Sequence, residues 1–209
     1  VKVGAVASLI RSVGPFSMQS PHTGNMAYDD KVKKIPHAAL SLEDAEMLAR
    51  MQARGEKIRI KLKMEAHMLP DGFSRNVIAD IRGRENPEQI VIVSGHIDSW
   101  DVGQGAMDDG GGCLAAWEAA RLMMKLGLKP RRTIRVVLWT NEENGIRGAK
   151  EYARRHAATL KNHVLAIESD SGVFNPTGYG FLGSVKGMET IQAIGKLLAP
   201  IKAGEIKKG

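Results

Sequence analysis

The chain has few cysteines and few aromatic residues, and it contains no long apolar run. Cys113 is its single cysteine, which excludes an intrachain disulfide and a zinc site built from several thiolates. It follows three glycines and precedes an apolar run, a setting that favours a small buried residue at a helix start over a nucleophile.

No apolar stretch approaches the roughly 20 residues that a membrane span needs, and the opening residues lack the cleavage site of a signal peptide. We therefore expect a globular chain without a membrane span.

Basic residues outnumber acidic ones by 30 to 23, which gives a formal net charge of +7. Such an excess can indicate an anionic partner. Here the basic residues are scattered among acids, aromatic residues make up only 5% of the chain, and no nucleic-acid-binding motif accompanies them. We expect a solvated basic surface and no nucleic-acid partner.

The pattern of apolar residues changes along the chain. Residues 1–65 contain an expected strand at 3–10, a helix at 41–55 that Ser41 caps, and a half-exposed strand at 57–66 with alternating apolar and basic residues. From Ser74 onward, four strands (76–83, 88–95, 133–140 and 163–170) alternate with three helices (111–127, 146–160 and 185–200). This alternation predicts an α/β fold with a mostly parallel sheet and helices on both faces. The large apolar residues of the first of these helices, Leu114 and Trp117 among them, are expected to face the core.

Metal-binding residue types follow three of these strands at the same end. They are His96 and Asp98 after the second strand, Asn141, Glu142 and Glu143 after the third, and Asp170 after the fourth. Ligands bind beyond the carboxyl ends of strands in open parallel sheets, so these side chains are expected to converge. A glycine-rich tract with Asp108 and Asp109 leaves from the same edge and enters the next helix.

Imidazole and carboxylates without a thiolate suit zinc or another divalent cation in a hydrolytic site. One aspartate can bridge two ions, and adjacent acids such as Glu142 and Glu143 allow one to bind metal while the other accepts a proton. Each motif alone has a plainer interpretation: a surface loop for HID, a solvated pair for EE, a flexible turn for DDGGG and a helix cap for Asp170. Their convergence is what favours a metal site.

Three segments carry a resemblance to a known family: GHIDSWDVGQGAMDDGGG (95–112), VVLWTNEENGIRGAKEY (136–152) and AIESDSGVFNPTGYGF (166–181). They resemble the di-zinc aminopeptidase and glutamate carboxypeptidase superfamily, and the SW after HID and the ESDSGVFNPTG segment favour its plasma glutamate carboxypeptidase branch. The resemblance implies a zinc exopeptidase core (phosphorylase/hydrolase-like) over residues 57–209, truncated at its C-terminus. It also implies that residues 1–56 are part of a protease-associated insert domain.

The resemblance also implies a role for each candidate residue. His96 and Asp170 match ligands of a first zinc, Asp108 matches the carboxylate that bridges both zincs, Glu143 matches a ligand of the second zinc, Glu142 matches the general base, and Asp98 matches the acid that orients the histidine. It further implies a cis peptide bond after Asp108.

One ligand of the family has no match in this sequence. The family places a histidine for the second zinc some tens of residues after the position of Asp170, whereas the last histidines here are His156 and His163. We expect both to be structural or surface residues. The implication is that the chain is a fragment, short at both ends, and that the last ligand lies outside it.

The expected function is that of a metal-dependent exopeptidase, which hydrolyses dipeptides or short peptides through a water activated by two zinc ions. Alternatives are an aminopeptidase or a glutaminyl-cyclase-like enzyme on the same fold, or a non-catalytic binding protein that keeps the peptidase fold, as transferrin receptors do. A short peptide is the expected partner, and a homodimer stays open. The resemblance implies an exported protein, whether secreted, periplasmic or lysosomal.

Overall fold

The computed structural model describes residues 3–22, 29–67, 69–100 and 103–209, so Asp101 and Val102 of the glycine-rich tract lie outside the described residues. The chain forms two compact units, Val1–Gly72 and Phe73–Gly209. Together they give a mixed α/β fold, as the sequence predicts at that level.

The first unit contains a pair of short parallel strands and one helix. Strands β1 (Ser8–Arg11) and β2 (His37–Leu40) pair along their whole length, and helix α1 spans Leu42–Ala53. The Ser41 hydroxyl accepts a hydrogen bond from the Asp44 N–H at 3.1 Å, so this residue caps α1 as predicted. Gly55, with φ of +78°, follows the end of the helix.

The expected strand at residues 57–66 is wrong. These residues are all described, and they form neither helix nor strand. Their alternating pattern fits a half-exposed strand, but a strand exists only where a neighbour supplies hydrogen-bond partners. In the described part of the chain no strand pairs with this segment.

Glu43, in the first turn of α1, accepts four hydrogen bonds from the loop that contains residues 17–19. Its carboxylate accepts from the backbone N–H groups of Ser17 (3.0 Å), Met18 (2.9 Å) and Gln19 (3.3 Å), and from the Ser17 hydroxyl (2.8 Å). Met18 and Gln19 both have positive φ angles, which turn successive N–H groups toward one point. The backbone hydrogen bond from Ser17 is the largest of the effects that lower the pKa of Glu43 to about 2.

This arrangement predicts an unusual acid titration. Because the pKa of Glu43 is depressed in the fold from its ordinary 4.5, its stabilising contribution is complete above that value and is lost as the pH falls toward about 2. The amide resonances of Ser17 and Met18, followed by NMR, should therefore shift with a midpoint near pH 2. The transition should be absent in Glu43→Gln. A midpoint near 4.5 would contradict the contacts described here.

The second unit alternates strands and helices. Its strands are β3 (Val77–Ile81), β4 (Asn86–His96), β5 (Arg132–Trp139), β6 (His163–Glu168), β7 (Gly178–Phe181) and β8 (Glu205–Lys208). Its helices are α2 (Gly110–Lys125), α3 (Arg147–Arg155) and α4 (Val185–Leu197), with short 3₁₀ turns at Leu160–Asn162 and Ala199–Ile201. In the described residues, no helix is long and apolar enough to cross a bilayer.

The main sheet of this unit has the strand order β3-β5-β4-β6. Strand β3 runs antiparallel to β5, whereas β5, β4 and β6 run parallel to one another. The register pairs His96 with Trp139 and Ser94 with Glu168. The three parallel strands therefore end at nearly the same level, and the residues that follow them leave from one edge of the sheet.

Helix α2 contacts the sheet through small residues, contrary to the expectation from its apolar pattern. Gly112 and Ala116 are its buried positions, while Leu114 is 70% exposed and Trp117 is 59% exposed. Small side chains let the helix backbone approach β4 closely, and that orientation turns the larger apolar residues away from the sheet. The core of the unit consists instead of Ile90, Ile92, Val137, Trp139 and Tyr152.

His156 and His163 belong to a network around the buried Tyr152 of α3. Arg135 donates to the Tyr152 hydroxyl at 2.7 Å, and that hydroxyl lies 2.8 Å from His163 Nε2. Because the guanidinium can only donate, the tyrosine proton points to His163 Nε2. The ring of His156 stacks on Tyr152 at 4.0 Å between centroids. Both histidines lie at the end of the unit where β6 begins, in structural positions.

Candidate metal centre

Three predicted residues converge at the carboxyl edge of the sheet. His96 ends β4, Asp108 lies in the tract that leads into α2, and Asp170 follows β6. His96 Nε2 is 3.1 Å from Asp108 Oδ1 and 3.4 Å from Asp170 Oδ1, so the donor atoms lie within 4.8 Å of one another. The imidazole is 1% exposed, whereas both carboxylates are open to solvent. One rigid ligand and two accessible ones thus surround a single point.

The hydrogen bonds of His96 fix which ring nitrogen faces that point. Nδ1 lies 2.8 Å from the main-chain oxygen of Asp98, and a carbonyl oxygen can only accept, so Nδ1 carries a proton. Burial lowers the pKa of His96 most, but this hydrogen bond and the charges of Asp170, Asp109 and Glu142 together outweigh it, so the pKa is raised. The other ring nitrogen, Nε2, faces the carboxylates of Asp108 and Asp170. A cation at this point would meet an imidazole nitrogen and two carboxylates.

Asp98 connects this cluster to the loop after β5. Its carboxylate accepts from the backbone N–H of Glu142 at 2.9 Å and from that of Glu143 at 3.3 Å. The same carboxylate lies 3.8 Å from His96 Nδ1, so the ring is held mainly by the Asp98 main chain. Asp98 thereby anchors the backbone of two acidic residues beside the histidine.

Glu142 and Glu143 both face the cluster. Glu142 Oε2 is 4.0 Å from His96 Nε2. Burial is the first cause that raises the pKa of each carboxyl; the charge of Asp108 adds to it for both, and that of Asp170 adds to it for Glu142. Glu143 Oε1 is buried and has no hydrogen-bond partner among the described residues. An unpaired buried carboxylate oxygen beside crowded acids is an environment that favours a bound cation.

Asp109, for which the sequence predicts no role of its own, is 1% exposed. Its side chain caps α2 by accepting from the Gly112 N–H at 2.9 Å, and it also accepts from the His96 N–H at 3.0 Å. The capping role was detectable, because Asp is a preferred N-cap and this one lies two residues before the start of the predicted helix. The bond to His96 was not, because it joins residues that only the fold brings together.

The Asp108–Asp109 bond agrees with its prediction, and Cys113 lies in the first turn of α2 as expected, but it is half-buried where a buried residue is predicted. The Cys113 thiol donates to the His96 main-chain oxygen at 3.0 Å, and burial is the main cause that raises its pKa to about 11. Such a thiol is protonated at neutral pH and is a poor nucleophile. The peptide bond between Asp108 and Asp109 is cis.

Comparison with known proteins identifies the family. The model of peptidase family M28 matches residues 76–205, which include every residue of the cluster. The chain belongs to peptidase family M28. Membership agrees with the predicted superfamily, since the matched range covers the strand ends, the glycine-rich tract and the acidic loop described above.

Relatives of this M28 chain include peptidases of two kinds. It is 53% identical over 205 residues to carboxypeptidase Q of Homo sapiens, the plasma glutamate carboxypeptidase of the predicted branch, covering 98% of this chain and 43% of that protein. It is 28% identical over 193 residues to a probable leucine aminopeptidase 2 of Aspergillus fumigatus, covering 85% of this chain and 37% of that protein. The chain thus spans less than half the length of these relatives.

A solved structure of the same family has a similar fold. The crystal structure of a Peptidase M28 precursor from Shewanella amazonensis SB2B matches with a TM-score of 0.88 and 36% sequence identity. The match covers 99% of this chain and 47% of that one. The fold of the M28 chain described here is therefore close to that of the corresponding part of a solved family member.

Proposed function

We propose that this protein is a zinc-dependent metallo-exopeptidase that cleaves dipeptides or short peptides near a free terminus. The observation that carries the proposal is the cluster of His96 Nε2, Asp108 and Asp170 at the carboxyl edge of the sheet. It lies beside an acidic loop whose backbone Asp98 anchors. Its donor set lacks a thiolate and combines imidazole with carboxylates, which suits zinc in hydrolytic sites.

The residues present would hold two zinc ions. His96 and Asp170 would bind the first ion, Glu143 would bind the second, and Asp108 would contribute to both. The Glu143 oxygen that has no partner among the described residues and the three neighbouring carboxyl groups of Asp98, Asp108 and Glu142 supply negative charge for bound cations. Bound zinc supplies Lewis acidity, which favours ionisation of a water molecule and polarises a carbonyl oxygen.

Proton transfer falls to Glu142. Its carboxyl lies beside the cluster without belonging to the ligand set, and burial raises its pKa above the ordinary value, which makes the carboxylate a stronger proton acceptor. It takes the proton of the attacking water and delivers it to the departing amine. Asp98 keeps Glu142 in place by holding its backbone N–H. The step balances, because the peptide C–N bond breaks as a C–O bond forms and the amine receives the proton.

Carboxypeptidase and aminopeptidase activity are both compatible with this chemistry. The identity to carboxypeptidase Q is higher, which favours cleavage in that substrate class, whereas the leucine aminopeptidase relative supports the alternative. We extend the proposal to organisation and location: residues 1–56 form part of a protease-associated domain, and the protein acts after export. Both points are supported by the family resemblance.

The test uses purified protein stripped of metal with a chelator and reconstituted with zinc. Unblocked dipeptides should be hydrolysed only after zinc is restored, with a stoichiometry of two ions per site. An N-acetylated and a C-amidated dipeptide distinguish carboxypeptidase from aminopeptidase activity, because each blocks one of the two termini. Release of ammonia from a peptide with an N-terminal glutamine would indicate a cyclase instead. Bound zinc without any turnover would contradict the proposal and favour a binding protein.

A further inference from the structure

The main chain of His96 is held on both sides by the first residues of α2. Its N–H donates to Asp109 Oδ2 at 3.0 Å, and its carbonyl oxygen accepts from the Cys113 thiol, also at 3.0 Å. His96 and Asp109 are each 1% exposed. The ligand at the end of β4 is therefore tied to the helix that follows the other ligand, Asp108.

The Asp109 carboxylate takes the place of a strand at this point. The ladder between β4 and β6 ends at Ser94 and Glu168, with one further bond from the Ser169 N–H to the Ser94 oxygen at 3.1 Å. His96 presents the next N–H on that edge of β4, and Asp109 accepts it. The carboxylate thus satisfies a buried backbone donor that a longer β6 would otherwise have paired.

Two glycines leave the space that this carboxylate occupies. A Cβ at Gly95 would lie 2.6 Å from Asp109 Oδ2, and a Cβ at Gly112 would lie 2.3 Å from Asp109 Oδ1. Both distances are far below a van der Waals contact, so any other residue at either position would displace the carboxylate. The local sequence therefore accommodates Asp109 in one buried position between β4 and α2.

We propose that Asp109 is a positioning residue of the metal centre, an inference that rests on the proposed function. One carboxylate holds the main chain of His96 and caps the helix that starts next to Asp108. It thereby fixes the distance between His96 Nε2 and Asp108 Oδ1, which is 3.1 Å here. Metal affinity depends on that separation, since ligands that must be drawn together cost binding free energy.

The test separates positioning from helix capping. In Asp109→Ser the hydroxyl remains a good N-cap for α2, but the shorter side chain does not reach the His96 N–H. Zinc affinity, measured by competition with a chromophoric chelator, should fall by about 10- to 100-fold, the usual effect of removing a residue that orients a ligand. The visible absorption of the cobalt-substituted protein should change in parallel. Circular dichroism checks that the variant folds.

Two further variants complete the design. Asp109→Asn keeps the size of the side chain, but its single amide oxygen replaces two carboxylate oxygens and cannot accept from both the His96 and the Gly112 N–H. This variant should therefore also bind zinc more weakly. It decides the question if the serine variant does not fold. Ser184→Ala removes the N-cap of α4, whose hydroxyl accepts from Gly187, and should leave zinc affinity within twofold. If both Asp109 variants bind zinc with wild-type affinity, the inference about Asp109 is overturned and the proposed function is not. A wild-type protein that binds no zinc overturns the proposed function, and the inference with it.

Discussion

Glu142→Gln should lower kcat by about 10³-fold while the protein keeps its zinc, because general acid–base groups typically contribute 10²- to 10⁴-fold. The glutamine side chain is nearly the same size as that of glutamate. The backbone N–H of residue 142 still donates to Asp98, so the loop after β5 should stay in place. It cannot accept the proton of the attacking water. The measurement is steady-state hydrolysis of a dipeptide together with metal content by elemental analysis.

The neighbouring residue provides the contrast that makes this test sharp. Glu143→Gln removes the carboxylate whose buried Oε1 has no hydrogen-bond partner in the described part of the chain, so this variant should lose zinc as well as turnover. Glu168→Gln is a matched control, because Glu168 also lies near the cluster and burial raises its pKa, but we assign it no role. Undiminished hydrolysis in Glu142→Gln, or equal zinc loss in both Glu142 and Glu143 variants, would exclude the assigned division of labour.

Much of the metal cluster was predictable from the sequence. Strands β4 and β5 contain buried β-branched residues, β6 runs parallel beside β4, and parallel strands end at one edge of a sheet. Side chains that directly follow such strands must meet, which is why His96 and Asp170 could be placed together without a structure. The register agrees with this placement, since Ser94 pairs with Glu168 and each is followed two residues later by one of these two side chains.

The remainder depended on close approaches that hydrophobic patterns do not encode. Helix α2 contacts the sheet through Gly112 and Ala116 because its backbone lies near β4, so a pattern that counts large apolar residues selects the wrong face. The bond from the His96 N–H to Asp109 crosses 13 positions of the chain and uses a backbone donor, which has no sequence signature. Short strands such as β7 and β8, each four residues long, arise from pairing with each other more than from local propensity.

Asp170→Asn should abolish zinc-dependent turnover without weakening the metal-free fold. The Asp170 side chain is 40% exposed, so its replacement leaves no buried cavity. Its charge acts to raise the pKa of Asp109, Glu142 and Glu168 and also that of His96, so it repels three acids and attracts one imidazole. We expect the substitution to remove more repulsion between acids than attraction to His96. The Tm of the metal-free variant should therefore equal or slightly exceed that of the metal-free wild type.

With zinc present, the wild type should have a higher Tm than Asp170→Asn. A ligand that binds only the folded state stabilises it by RT ln(1 + [L]/Kd), or about 2.7 kcal/mol when zinc is present at 100 times its Kd. Wild-type protein should gain this amount on addition of zinc, whereas Asp170→Asn should gain little, because one of the three convergent donors is gone. Thermal unfolding with and without zinc measures both differences in Tm between the variant and the wild type.

Glu189→Gln, which removes a charge from α4, serves as the control and should retain the zinc-dependent rise in Tm. A full rise in Asp170→Asn would show that this carboxylate is not a ligand, and a lower metal-free Tm would show that its role is structural.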